Sequence, residues 1–265
     1  MAHAPGTGWT TTKVFGCLSD CAAVGRSLHS RMLPVEITPF ESRQFELLVR
    51  KSGANPAVFQ LRKFRSLSGA GFKVRVVGRG AATVYDHQDP SSWMGHFAQD
   101  IEKGLFGTDA QAALPEGVAR ALAEVELALA QKGLTGALAV LNRRVPHRFT
   151  AVYRLLGQSL HNVGTVDKHH HLDPLDLKVV PLKDSFCQFV LRDGLFLTRD
   201  SGSDARLSGH PYSGVVGCYV GVPIQHREGR MAGTLCHFDL ESHEIDDDEY
   251  LLLDRAARLM PAFIA

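Results

Sequence analysis

The sequence has 265 residues, of which 45% are hydrophobic; this supplies a substantial buried core and excludes general disorder. Its 29 Lys and Arg residues nearly balance 28 Asp and Glu residues, so bulk charge does not favour a polyanionic partner. No run reaches the ~20 apolar residues of a membrane-spanning helix, and the N-terminus lacks the apolar stretch of a signal peptide, which predicts a cytoplasmic protein without membrane segments.

The first part of the chain predicts a small α+β unit behind a loose arm. Residues 1–35 have no sustained hydrophobic period, so we expect a loose N-terminal arm there. Within residues 36–110, hydrophobic periodicity predicts a helix, three short strands and a second helix, at residues 41–51, 59–62, 72–76, 82–85 and 93–101. Nucleic-acid binding is disfavoured, because the second helix carries Asp100 and Glu102 where double-stranded RNA-binding domains place basic side chains on phosphates.

A second unit is predicted after a boundary in residues 106–116, which contain Gly107, Asp109 and Pro115 without a sustained pattern. A helix is expected from Val118 to about Lys132, ended by Gly133. Further along, the pattern predicts two hairpins, one isolated strand and a final helix, at residues 149–166, 218–239, 195–198 and 246–263. Two domains, 36–110 and 114–265, are therefore predicted.

Three stretches of the second unit resemble the GAF domain, a small-molecule sensory module. They are VPLKDSFCQFVLRDG at 180–194, TRDSGSDARLSGHPY at 198–212 and GCYVGVPIQHREGRMAGTLCHFDLES at 217–242, in the family's order and spacing. The resemblance runs from about Leu114 to Ala265 and implies an α+β fold with a six-stranded antiparallel sheet. The terminal helices are then expected on one face of the sheet, and a pocket roofed by residues 184–217 on the other.

The resemblance also implies a signalling function of bacterial type. Since no effector motif is found, the domain is expected to bind a small molecule or a partner and to act by changing a partner or an oligomer. The helices near 118–132 and 246–263 carry apolar seams that in this family are often covered by a twin, which predicts a homodimer. The sequence identifies no cofactor. The candidate ligand-binding residues are Phe186, Cys187, Phe189, Asp200, Asp204, Tyr212 and Tyr219.

An alternative function is that of a free methionine sulfoxide reductase, a GAF-type enzyme that uses cysteines near the pocket. Cys187 lies at a comparable place, but Cys218 falls on a predicted strand instead of the preceding loop. Asp200, Asp204 and Arg206 also have a plain structural interpretation, as residues that brace a loop through backbone hydrogen bonds. The five cysteines form no spacing typical of a disulfide framework.

Single motifs bear on three other ligand classes: a metal ion, a bilin and a cyclic nucleotide. The triplet His169-His170-His171 is expected in a polar loop. Adjacent histidines bind a metal only with ligands from elsewhere; His161, His210 or Asp173 could complete such a site, but their spacing does not require a metal site. Cys236-His237 is similar to a bilin-attachment pair but lies on the last predicted strand, so a bilin is rejected. The signature typical of cyclic-nucleotide binders is not found, which disfavours that ligand.

Overall fold

The computed structural model describes residues 32–66, 71–87, 93–107, 114–169, 178–226 and 229–264. They form two compact units, one within residues 1–37 and 55–108 and the other within residues 38–54 and 109–265. The helices are α1 (Pro39–Lys51), α2 (Trp93–Glu102), α3 (Glu116–Arg144), α4 (Cys187–Asp193) and α5 (Asp247–Ala257). The strands are β1 (Met32–Val35), β2 (Phe59–Ser66), β3 (Phe72–Gly78), β4 (Ala81–His87), β5 (Phe149–Leu156), β6 (Ser159–Asp167), β7 (Val179–Pro181), β8 (Phe196–Thr198), β9 (Cys218–Gln225) and β10 (Met231–Asp239).

The first unit is an antiparallel sheet in the order β1-β2-β3-β4. Its core is aromatic: Phe97 of α2 meets Phe59 and Tyr85 edge to face, with ring centroids 6.5 and 6.3 Å apart. The three predicted strands and the helix are present. The prediction of a loose arm was wrong for residues 32–35, which pair with β2 as β1; a four-residue strand is too short to show a period.

Helix α1 belongs to the second unit, although the sequence analysis assigned it to the first. A capping box begins it, since the Thr38 hydroxyl accepts from Glu41 N and the Glu41 carboxylate accepts from Thr38 N. Gln44 donates to Leu195 O at 2.7 Å, and Lys51 binds Asp254 of α5 at 3.0 Å. Periodicity identifies an amphipathic helix but not the surface against which it packs, which explains the wrong assignment.

The second unit has the predicted GAF-like α+β architecture. Its six strands are antiparallel in the order β7-β6-β5-β10-β9-β8. Helices α3 and α5 pack against each other and on one face, where Asn142 donates to Thr150 and Thr150 meets His237 of β10. Helix α4 lies on the other face, where Cys187 accepts a hydrogen bond from Thr234 of β10.

Helix α3 continues beyond the predicted end. Gly133 adopts φ 64° and ψ −161°, a non-helical conformation inside α3, so the expected break is present. The chain then re-enters a helix up to Arg144, and this second segment buries Leu138 and Leu141 completely. The sequence pattern predicted an end at Gly133, because glycine is the residue most common just after a helix C-terminus.

The surface of α3 bears on the predicted homodimer. Val118, Val125 and Leu129 of its seam are buried, while Leu127 is the large apolar side chain that this helix exposes. A twin would therefore have a short apolar strip to cover, and dimerisation stays a prediction. In the described part of the chain, no helix combines the length and the apolar character needed to cross a membrane.

The buried Lys51–Asp254 pair that holds α1 to α5 gives a first prediction. Burial opposes ionisation, but the charges of Lys51, Arg258 and Arg255 outweigh it and hold the pKa of Asp254 below its ordinary value. A lowered folded-state pKa stabilises the fold above the unfolded-state pKa, and this stabilisation is lost as the pH falls through the folded-state value. We expect Asp254→Asn to lower the free energy of unfolding by about 3–5 kcal/mol near neutral pH.

Urea unfolding at a series of pH values measures this difference. It should begin to shrink below about pH 4, the ordinary pKa of an aspartate in the unfolded chain, and it should vanish only below the lowered folded-state pKa of Asp254. The matched control is Glu116→Gln, which breaks an exposed pair with Arg120 and should change stability by less than about 0.5 kcal/mol. Equal effects of the two substitutions would show that the pair does not hold α1 in place.

Candidate functional site

A cavity of about 50 Å³ lies where the face of the sheet that carries α4 meets the segment before β9. Strand residues form its floor, α4 and the residues before it form one wall, and residues 212–216 form another. The side chains that line it are Tyr153, Val180, Ser185, Phe186, Cys187, Tyr212, Val216, Tyr219, Cys236 and Phe238. Four of the seven candidate residues are among them.

Cys187 is the centre of the polar groups in this cavity, which we call the thiol cavity. Its Sγ lies 3.2 Å from Tyr219 Oη and accepts a hydrogen bond from the Thr234 hydroxyl at 3.2 Å. Ser185 Oγ accepts from Cys187 N at 3.1 Å, which fixes the first turn of α4. The phenol of Tyr219 occupies the space that a side chain at Gly221 would take. Gly221 is thus required for the contact between Tyr219 and Cys187.

These contacts separate the acidities of the two cavity thiols. A hydrogen bond with Cys236, followed by those with Ser185, Thr234 and Tyr219, outweighs burial and lowers the pKa of Cys187 to about 6. The same thiol–thiol contact and burial raise the pKa of Cys236 well above its ordinary value. Burial likewise raises the pKa of Tyr219, which stays protonated. Cys187 is therefore the more acidic thiol of the pair.

The structure places the other three candidates outside the lining of the thiol cavity. Phe189 packs on Phe196, with ring centroids 4.8 Å apart. Asp204 is buried against Arg206, 2.6 Å away, and accepts from Arg206 N at 3.1 Å. Asp200 accepts from Gly202 N at 3.1 Å in an exposed turn. Both carboxylates thus make the loop-bracing contacts that the sequence analysis gave as their plain interpretation.

The roof of the thiol cavity is anchored through Ser201. This buried residue donates from its backbone N to Gly217 O at 2.8 Å, and its hydroxyl accepts from Gly214 N at 2.8 Å. Leu207 is buried in the core, whereas residues 208–215 are exposed or half-buried. The part of the roof that can move at low cost is therefore the span that carries Tyr212.

Six lining residues were not among the candidates: Tyr153, Val180, Ser185, Val216, Cys236 and Phe238. The register explains why several of them meet, since Tyr153 pairs with Thr234, and Phe238 with Tyr219. Directly paired residues of antiparallel strands project to the same face. Alternation along β5 and β10 signals this face, but the strand order is needed to bring the two strands together.

The third described thiol and the described histidines do not line the thiol cavity. Cys218 is buried but does not line the thiol cavity, and burial raises the pKa of its thiol to about 12. Cys187, Cys218 and Cys236 are free thiols. Among the described residues, no group of His, Cys, Asp and Glu side chains is arranged to hold a metal ion. Of the histidine triplet, His170 and His171 lie outside the described residues.

No protein-family model and no curated protein sequence matches the chain. Among solved structures, it is similar to a type II free methionine-R-sulfoxide reductase from Thermoplasma acidophilum, with 19% identity, a TM-score of 0.41 and coverage of 53% of this chain and 94% of that one. It is also similar to the GAF domain of an Acinetobacter phosphoenolpyruvate-protein phosphotransferase, with 12% identity, a TM-score of 0.47 and coverage of 57% of this chain and 94% of that one. For the GAF domain of a phosphoenolpyruvate-protein phosphotransferase from Coxiella burnetii, the identity is 16% and the TM-score is 0.45, with coverage of 56% of this chain and 92% of that one.

The acidity of Cys187 gives a second prediction. The thiolate absorbance that is lost in Cys187→Ser should titrate in the native wild-type protein with a midpoint near 6. Cys236→Ala should raise this midpoint, because the contact with Cys236 is the largest cause of the lowered pKa. Cys218→Ala is the matched control and should leave it unchanged. A midpoint at or above about 8.5, the value of a free cysteine, would contradict the assignment.

Proposed function

We propose that the second unit is a sensory domain of the GAF type that binds a small polar molecule in the thiol cavity. The observation that carries this proposal is the cavity itself, which the side chains around it leave unfilled on the face of α4. Tyr219 and Cys187 present a hydroxyl and a thiol group there, while Phe186 and Phe238 supply apolar walls. A few polar groups in an apolar surround are typical of a small-ligand site.

The size of the thiol cavity limits the ligand. Its volume of about 50 Å³ is far below the ~300–1,000 Å³ of pockets for drug-sized molecules. None of the side chains that line it in the described chain is an Asp, Glu, Lys, Arg or His residue. The proposed ligand is therefore a molecule of a few heavy atoms with hydrogen-bonding groups, held without an ion pair to a charged side chain of those types. A larger ligand requires residues 208–215 to move outward.

The same residues supply a route for an output. Tyr212 and Val216 belong to the roof and line the thiol cavity, so a ligand that contacts them changes the order of residues 208–215. The exposed side chain of Val215 lies in this span and is available to a partner or a second copy. We propose that the domain acts by changing such a contact. Its free thiols support a reducing compartment, as in the cytoplasm.

A third prediction tests ligand binding. A metabolite panel screened by thermal shift should contain small molecules that raise the melting temperature, with about 2.7 kcal/mol of added stability at a hundredfold excess over the dissociation constant. Val216→Phe should abolish the shift by filling the cavity. The matched control is Val215→Phe, which adds the same ring at the adjacent exposed position and should retain the shift. Hits that survive Val216→Phe would place the ligand elsewhere.

A second candidate function, sulfoxide reduction, is favoured by one observation: two thiols, Cys187 and Cys236, line the same cavity. Two thiols reduce a sulfoxide to a thioether and become a disulfide, with release of water. Two features count against it. No carboxylate lines the described part of the thiol cavity to bind the ammonium group of an amino acid, and Cys218 is not among its lining residues.

A fourth prediction separates the two functions. Incubation with free methionine sulfoxide and a thiol reductant should give no turnover above that of Cys187→Ser, because the thiol cavity holds no partner for the substrate's charged groups. Methionine formation is measured by chromatography. Turnover that is lost in Cys187→Ser and retained in Cys218→Ser would replace the sensory function by an enzymatic one.

A further inference from the structure

A second cavity, of about 420 Å³, lies in the second unit where the start of α1, the end of β8 and residues 243–245 meet. It shares Tyr219 with the thiol cavity and no other lining residue. Its volume falls within the ~300–1,000 Å³ typical of small-molecule sites. The residues that line it are Pro39, Phe40, Arg43, His147, Leu197, Thr198, Arg199, Ser203, Tyr219, Val220, His243, Glu244 and Ile245. We call it the α1 cavity.

Two polar side chains in the wall of the α1 cavity lack partners. Thr198 is 2% exposed and His147 is 1% exposed, and neither Thr198 Oγ1 nor His147 Nδ1 has a hydrogen-bond partner among the described residues. Buried polar groups are nearly always hydrogen-bonded, because leaving one unmade costs its full desolvation. Both residues line the same cavity, so its wall contains two buried polar groups without a hydrogen-bond partner among the described residues.

Two arginines also line the α1 cavity. Arg43 pairs with Asp247 and donates to Ile245 O at 3.3 Å, and Arg199 pairs with Glu244 at 2.8 Å. Each guanidinium has five N–H donors, so these contacts leave others free for a ligand. The wall therefore offers N–H and O–H donors to a head group that accepts several hydrogen bonds, and a carboxylate or phosphate is such a group.

His147 adds a donor without adding charge. Burial, and then the neighbouring His243, lower the pKa of His147 to about 4, so its imidazole is neutral near pH 7. A neutral imidazole donates from one nitrogen, and an acceptor beside Nδ1 selects the tautomer that carries the proton there. The side chain of Asn142 donates to His147 O at 3.3 Å and holds the residue in position.

Five apolar side chains also line the α1 cavity. Phe40 of α1, Leu197 of β8 and Val220 of β9 line the cavity together with Pro39 and Ile245. A free inorganic ion would leave this surface in contact with water. A molecule with an anionic head and an apolar body covers both parts of the wall at once.

We propose that the α1 cavity binds a small organic anion, a carboxylate or phosphate head on a short apolar body. The head accepts hydrogen bonds from the Thr198 hydroxyl and from His147 Nδ1, within the field of Arg43 and Arg199. The body packs against Phe40, Leu197 and Val220. This site is separate from the thiol cavity and stands whether or not the thiol cavity binds a ligand.

Calorimetric titration with three probes of one shape tests the proposal on the full chain. Benzoate carries the carboxylate, phenyl phosphate the phosphate, and benzamide is the uncharged control. At least one anion should bind about tenfold more tightly than benzamide, since hydrogen bonds to a charged group are roughly twice as strong as neutral ones. The tighter anion identifies the head group. No binding of either anion at about 10 mM, or equal binding of benzamide, would overturn the proposal.

Two variants assign the site. Thr198→Val removes the unpaired hydroxyl at nearly constant volume and should weaken anion binding about tenfold while leaving the free protein folded. Arg199→Gln should also weaken binding, whereas Arg120→Gln, a matched exposed arginine on α3, should not. Tyr212→Phe in the thiol cavity should leave the affinity unchanged. Equal affinities for wild type, Thr198→Val and Arg199→Gln would contradict the assignment.

A measurement on the wild-type protein covers the case in which a variant does not fold. Nitrogen–proton correlation spectra of the histidine rings should show a shift of the His147 signals on addition of the bound anion. His210, which lies against Phe186 beside the thiol cavity, should not shift. A shift of His210 without His147 would place the anion in the thiol cavity and reject the α1 cavity as its site.

Discussion

The alternation of side chains along β10 is the constraint on which the thiol cavity depends. Thr234 and Cys236 project towards α4, where they contact or neighbour Cys187, while His237 projects towards the helices and meets Thr150. A shift of one residue in the register would exchange these faces and remove the thiol cavity. The register is held because β10 lies in the middle of the sheet, between β5 and β9. Gly233 is required there, since a side chain would collide with Tyr153 O.

Much of the second unit could be predicted from its sequence because its signals are local. Turn residues, runs of strand-forming residues in β5, β6, β9 and β10, and the N-cap residue of α5 all act within a few residues. The N-cap residue Asp246 accepts from Glu249 N, but the Glu249 carboxylate binds Arg144 instead of completing a capping box. That choice depends on a residue far along the chain, and the local pattern does not contain it.

The candidate site was predicted in part for the same reason. The three stretches that resemble the GAF domain contain the four candidates that meet in the thiol cavity: Phe186, Cys187, Tyr212 and Tyr219. Asp204 lies in the same stretch as Tyr212, residues 198–212, but it binds Arg206 instead. A carboxylate that braces a loop and one that faces a ligand look alike in sequence. The α1 cavity was missed altogether, because its wall joins Phe40 to residues near 147, 198 and 243 across the chain. No periodicity or spacing connects such distant positions.

Arg206 connects the two cavities physically. Its guanidinium binds Asp204 in the roof loop, donates to Gln44 of α1 at 2.7 Å and donates to Leu197 O of β8 at 2.7 Å. The ring of Phe196 lies beneath it, 4.5 Å away. The loop that supplies Tyr212 to the thiol cavity and the helix that supplies Phe40 to the α1 cavity are thus held by one side chain. Because Arg206 binds three elements at once, the roof loop, α1 and β8 share one largely buried side chain as a common support.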